Sequence, residues 1–170
     1  AVDEEGRAYV TGEVYEGRDL GEGHTGLIIS QAAEALKALA GERKIYEWLA
    51  PPDMWNRQKD SGKSMAELFM LNGVGIVKSN NNRVQGHLQV KQMLADLPDE
   101  KPGLVVFNTC KRLIGDIQCI QADENNPSDC AKQPHEITHG PDALRYFAQS
   151  RTMPGMMDEI VAEPDEDEDT

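Results

Sequence analysis

Apolar residues along this chain recur in short runs separated by turn-forming clusters, and the period of each run names an element. After the turn-forming "DEEG", the segment "RAYVTGEVYEG" alternates apolar and polar residues through Tyr9, Val10, Val14 and Tyr15, which predicts an antiparallel strand near a sheet edge. "TGLIISQAAEALKALAG" carries apolar residues at helical spacing and a glycine stop, predicting a helix with Thr25 as N-cap. "KIYEWLAPPDMW" reads as a short strand that ends at Pro51-Pro52. "SMAELFMLNG" predicts a helix capped by Ser64, with Glu67 at the capping-box position and Gly73 as its stop. A strand "GIVKSN" follows, then a helix over "RVQGHLQVKQMLADLP" stopped by Pro98. "PGLVVFNTC" is a continuous apolar strand after a Pro-Gly turn, and "CKRLIGDIQCIQ" is helical. The polar "ADENNPSDCAKQP" is loop, and "GPDALRYFAQSR" opens a last helix with Pro141 in its first turn. Helix and short strand alternate after an initial hairpin, so the expected fold is an α/β sandwich with a mixed sheet.

At 170 residues, the chain suits one domain. No internal repeat, secretory signal or membrane-length apolar run is visible, which predicts a cytoplasmic protein. Cys110, Cys119 and Cys130 are odd in number and irregularly spaced, as expected of reduced thiols. The formal charge of -13 at first disfavours a nucleic-acid partner. Its distribution weakens that objection, because eight of the excess negative charges follow Arg151 and leave about five for the body. Residues 153–170 therefore read as an acidic, disordered tail behind a folded unit at 1–152.

Three positions carry candidate chemistry. Asp53 follows two prolines at the end of a strand, where a carboxylate faces the ligand crevice of an α/β fold, although, taken alone, a turn role after Pro-Pro accounts for it more simply. Asp142 falls in the first turn of a helix, where an acid also complements the dipole. His139 precedes it by three residues, close enough to share one small site. Carboxylates gathered from distant positions repel unless a cation neutralises them, and hard oxygen ligands select Mg²⁺ or Mn²⁺. Paired metals can activate water and stabilise the leaving oxygen in phosphodiester cleavage. The segment "KSNNNRVQGHLQVK" concentrates Lys78, Arg83, His87 and Lys91 with three consecutive asparagines, suited either to phosphate contacts or to a capped turn. "SGKS" at 61–64 is not a P-loop, since the required glycine is Arg57. The cysteines and histidines lack the short knuckle spacing of a zinc site.

Four ordered segments, "APPDMWNRQKDSGKSMAELF", "NNNRVQGHLQVKQML", "PGLVVFNTCKRLIGDIQCIQADENNPSDC" and "HEITHGPDALRYF", resemble the C-terminal nuclease domain of the large terminase subunit of tailed bacteriophages. The resemblance spans nearly all of residues 1–150. It implies an RNase H-like mixed sheet flanked by helices, and a divalent-metal endonuclease that cuts double-stranded viral DNA during packaging in the host cytoplasm. By position, Asp53 corresponds to the family's second catalytic carboxylate and Asp142 to its third, both metal ligands, and His139 to a histidine beside them. Lys78, Arg83 and Lys91 are then the candidate DNA contacts, with portal protein and small terminase subunit as further partners. The family's first catalytic Asp lies on a strand upstream of the hairpin, and its ATPase motor lies upstream again. Neither is found in this sequence, so the chain reads as a piece of something longer, lacking the first strand and impaired as an enzyme. A non-catalytic DNA clamp or portal-docking module is the alternative.

Overall fold

The computed structural model describes residues 1–15, 26–59 and 61–151. Within them lie four three-residue strands, β1 (Ala8–Val10), β2 (Trp48–Ala50), β3 (Ile76–Lys78) and β4 (Leu104–Val106). Five helices accompany them: α1 (Ile29–Ala40), α2 (Met65–Leu71), α3 (Arg83–Leu94), α4 (Lys111–Cys119) and α5 (His139–Gln149). Tight 3-10 turns at Pro52–Trp55 and His135–Ile137 complete the order. The fold is therefore of the mixed α/β class. The expected acidic tail and the Thr25 cap lie outside the described residues.

Local signals account for most element boundaries. The α2 cap is the reciprocal box that the sequence predicts: the Glu67 N–H donates to Ser64 Oγ at 3.1 Å, and the Ser64 N–H donates to Glu67 Oε2 at 2.6 Å. Those bonds hold the Glu67 carboxyl below its ordinary range. Gly73, at φ 81°, takes up the left-handed conformation that closes the helix turn. Helix α1 starts at Ile29, where Gln31 Oε1 accepts the Ile28 N–H at 3.1 Å. Helix α3 is capped by Asn82, whose Oδ1 accepts the Gln85 N–H at 3.1 Å, and it stops at Leu94, short of Pro98.

Strand pairing departs from expectation. Instead of an antiparallel edge strand, β1 runs parallel to β4, with Ala8 opposite Leu104 and Val10 opposite Val106. An antiparallel bridge from Val2 to Ala8 flanks it, so the hairpin turn exists but contributes only that bridge. Val14 and Tyr15 fall beyond the strand, which ends at Val10, and Gly12 passes Leu39 of α1 so closely that a Cβ would meet Cδ1 at 2.7 Å. Strands β2 and β3 form a second parallel pair, Trp48 opposite Ile76 and Ala50 opposite Lys78.

Each pair has its own core. Ala8, Met93, Leu104, Leu144 and Ala148 bury beside β1 and β4, with Val90, Ile117 and Phe147 packed around them. Ala33, Phe69 and Val74 bury beside β2 and β3, against Leu36, Trp48 and Met54. Helices α3 and α5 pack closely, as do α4 and α5. Asp3 accepts from the Arg7 N–H at 2.8 Å and the Tyr9 hydroxyl at 2.9 Å, so its carboxylate serves the hairpin turn. Arg7 reaches on to Asp99 Oδ2 at 2.6 Å and ties that turn to the one before β4.

Candidate functional site

The carboxyl ends of β2 and β3 define one rim of the molecule. Beyond Ala50 the two prolines end the ladder, and Asp53 sits exposed in the 3-10 turn, its carbonyl accepting the Asn56 N–H at 2.9 Å. Ser79 locks the neighbouring strand end: its N–H and its hydroxyl both donate to the Ala50 carbonyl, at 2.9 and 2.8 Å. Lys78, exposed at the end of β3, holds its ammonium 5.2 Å from the centre of the Trp55 ring, a cation–π contact.

The asparagine run that follows is committed to structure. Asn80 Oδ1 accepts the Asn82 N–H at 3.0 Å, and Asn82 caps α3. Asn81 Oδ1 accepts from Arg145 Nη2 at 2.8 Å and from the Tyr146 hydroxyl at 3.3 Å. The asparagines thereby join the end of β3 to α5.

Asp142 occupies the first turn of α5, with its N–H donating to the Thr138 carbonyl at 2.9 Å. Its Oδ1 accepts from two guanidiniums, Arg145 Nε at 2.6 Å and Arg83 Nη1 at 3.0 Å. Arg83 also donates to Asp129 Oδ2 at 3.2 Å and to the Cys130 carbonyl at 3.2 Å. Of the three predicted DNA contacts, Arg83 is thus taken up inside the protein, while Lys78 and Lys91 are exposed. Lys91 lies two turns further along α3 than Arg83. His87 is buried between α3 and the 129–130 loop, its Nε2 3.7 Å from Asp129 Oδ1.

Tyr146 stands beside this network, its hydroxyl donating to Asn81 Oδ1. Burial pushes its phenol above the ordinary range; Arg145 opposes that shift, and the carboxylates of Asp142 and Asp53 both add to it. Asp53 follows β2 and Asp142 opens α5, and β2 and α5 pack against each other. His139, the first residue of α5, is exposed, with its ring edge-on to His135 at 4.6 Å. Its charge also bears on Asp116 of α4.

Residues with little or no signal in the sequence supply much of this network. Arg145 is 1% exposed and links Asp142, Asn81 and Tyr146; its spacing of three from Asp142 on one helix face was the available signal. Asp116 and Asp129 had none, since each is positioned by tertiary packing. The donor set suits a hard divalent cation poorly as it stands. Among the described residues, no group of three or more His, Cys, Asp or Glu is placed to share a metal ion. Asp142 Oδ1 is already neutralised by two arginines, and Mg²⁺ or Mn²⁺ asks for more free oxygen donors than Asp53 and the remaining Asp142 oxygen provide.

Compared with protein-family models, with curated proteins and with solved structures, the chain finds no match. No helix among the described residues is long and apolar enough to cross a membrane.

Proposed function

We propose that this chain is a nuclease-type domain of the phage large-terminase class, with an RNase H-like architecture, acting on double-stranded DNA in the host cytoplasm. The observation that carries this reading is the placement of Asp53 just beyond β2, at the carboxyl end of a parallel strand pair where α/β folds bind ligands, with Asp142 in the first turn of α5, a helix that packs against β2. Asp53 and Asp142 are the metal-facing carboxylates of the proposed site, with His139 at its margin and exposed Lys78 and Lys91 as DNA contacts. Portal protein and small terminase subunit are the assembly partners that this class implies. The incomplete donor set means that the chain by itself binds Mg²⁺ or Mn²⁺ weakly and cleaves slowly.

A second reading has its own support. The double arginine pairing of Asp142 is what a structural carboxylate needs, and it favours a non-catalytic DNA-clamp or portal-docking module.

A plasmid-nicking assay with Mn²⁺, run beside a metal-free DNA-binding titration, separates the two. Nicking that disappears in both Asp53→Asn and Asp142→Asn supports the nuclease. Binding that survives Asp53→Asn but weakens on charge reversal at Lys78 and Lys91, with no nicking, supports the clamp. Neither nicking nor binding by the folded chain would overturn both.

A further inference from the structure

Helix α3 leaves apolar side chains on its solvent side while burying polar ones. Its buried residues are Gly86, His87 and Met93, and Arg83 turns inward to Asp129 and Asp142. Val84 and Leu88 face outward, and Leu88 is 46% exposed. Lys91 is exposed too, as is Ala95 just past the helix end, so positions 84, 88, 91 and 95 form one line along the helix. A single exposed leucine is ordinary. An apolar line with Leu94, 50% exposed, at its margin is a surface that another segment can cover.

Charge says what kind of segment fits. Between Glu67 and Asp96 lies the longest acid-free stretch of an acidic chain, and it contains Lys78, Arg83 and Lys91. Arg83 is taken up by its ion pairs, so the outer line offers apolar groups and the Lys91 ammonium. Its complement combines apolar side chains with acids. This chain holds such a segment: residues 152–170, outside the described residues, read "TMPGMMDEIVAEPDEDEDT", with eight acids, no base, and apolar Met153, Met156, Met157, Ile160 and Val161. Methionine side chains adapt to irregular apolar surfaces.

The end of α5 brings that segment within reach. Gln149 Nε2 donates to the Asn82 carbonyl at the start of α3, and a Cβ on Gly86 would meet the same nitrogen at 2.9 Å. Helix α5 thus ends against the inner side of α3. Passing round a helix about 10 Å across takes roughly 16 Å, or about five residues of extended chain. Met156 is the fifth residue after Arg151.

We propose that the segment 153–163 docks on the outer face of α3 in its own chain, its methionines, Ile160 and Val161 covering Val84 and Leu88 while neighbouring acids meet Lys91. Joined to α5, it acts at the high effective concentration of a short tether, so a modest apolar surface is enough. The docking stands on α3 and this segment alone. Its consequence, that Lys91 is shielded from DNA, rests on the DNA-binding reading above.

The test is methyl NMR of the full chain, reading NOEs from the Met156 and Met157 methyls to those of Val84 and Leu88, beside titration of each variant with a double-stranded oligonucleotide. These contacts are expected in the parent, lost in the surface substitution Leu88→Asp and in Ile160→Asp, and weakened as salt rises. Should Leu88→Asp fail to fold, Ile160→Asp decides. Ile160→Asp is also expected to tighten DNA binding roughly fivefold, the factor released when a site had been covered about four-fifths of the time. Absence of the contacts in the parent, or contacts to a different face, overturns the proposal. Contacts that cross between a labelled and an unlabelled chain overturn it as well, because the occupant is then a second copy. Contacts with no DNA binding by any variant keep the docking and remove the DNA reading. DNA binding without the contacts does the reverse.

Discussion

The two faces that α5 presents to its neighbours pair their buried acids differently. Toward α3, both acids are paired with arginines, Asp142 with Arg83 and Arg145 and Asp129 with Arg83, although Arg145 Nη1 is buried without a hydrogen-bond partner. Toward α4, Asp116 has Arg112 at one oxygen and nothing bonded at the other. A matched seam resists unfolding because removing either partner strands the other. An undercompensated acid lowers stability where it is ionised and marks a place where another group can act. The difference teaches where this molecule is rigid and where it can respond.

The largest expected effect comes from breaking the matched seam. Arg145→Ala removes the bonds to Asp142, Asn81 and Tyr146 together with a fully buried stem, so urea unfolding should show a loss of about 3 kcal/mol. Next is Gly86→Ala on the same seam. A Cβ there would meet Gln149 Nε2 at 2.9 Å and Arg145 Cβ at 3.1 Å, and forcing the helices apart should cost about 2 kcal/mol, measured in the same way.

The pH dependence of the two seams has opposite sign. His87 is held neutral chiefly by burial, with Arg83 adding to that and Asp129 opposing, so its folded-state value lies below the ordinary 6.5. Its stabilising contribution is therefore present above 6.5 and is lost as the pH falls through the lower, folded-state value. Asp116 is raised above its ordinary 3.8, so its contribution is present below that pH and is lost as the pH rises through the folded value. Thermal melts across pH should show Asp116→Asn gaining on the parent at neutral pH, by about 1 kcal/mol, with the gain vanishing in acid. His87→Gln should instead flatten the loss of stability below pH 6.5.

The smallest effect is a control. Gly115, in α4 beside Asp116, has open space where a Cβ would stand, so Gly115→Ala should stabilise by roughly 0.5–1 kcal/mol through helix propensity alone. A loss there would mean that the α4 side is packed as tightly as the α3 side, and the contrast would fail.

Local chemistry was legible along the chain. Ser64 and Glu67 close their box across three residues, and the double proline ends β2 at Ala50. Asp53 and Asp142 were also legible as strand-end and helix-start acids, and both stand in those positions. The direction of β1 was not, because alternation is the same whether a partner runs parallel or antiparallel. Nor could the basic cluster be sorted by spacing: Lys78 and Lys91 reach solvent, whereas Arg83 turns inward to acids 46 and 59 residues away.

The sequence by itself determined the alternation of helices and strands, the cap and stop of α2, and which acids lie at element ends, because these follow from interactions within a turn or two of the chain. Only the tertiary structure decided that β1 pairs with β4, that Arg145 is buried against Asp142 and Asn81, and that Asp116 faces the start of α5 with one oxygen unbonded. Those outcomes depend on which surfaces meet across the fold, and on the low dielectric their meeting creates.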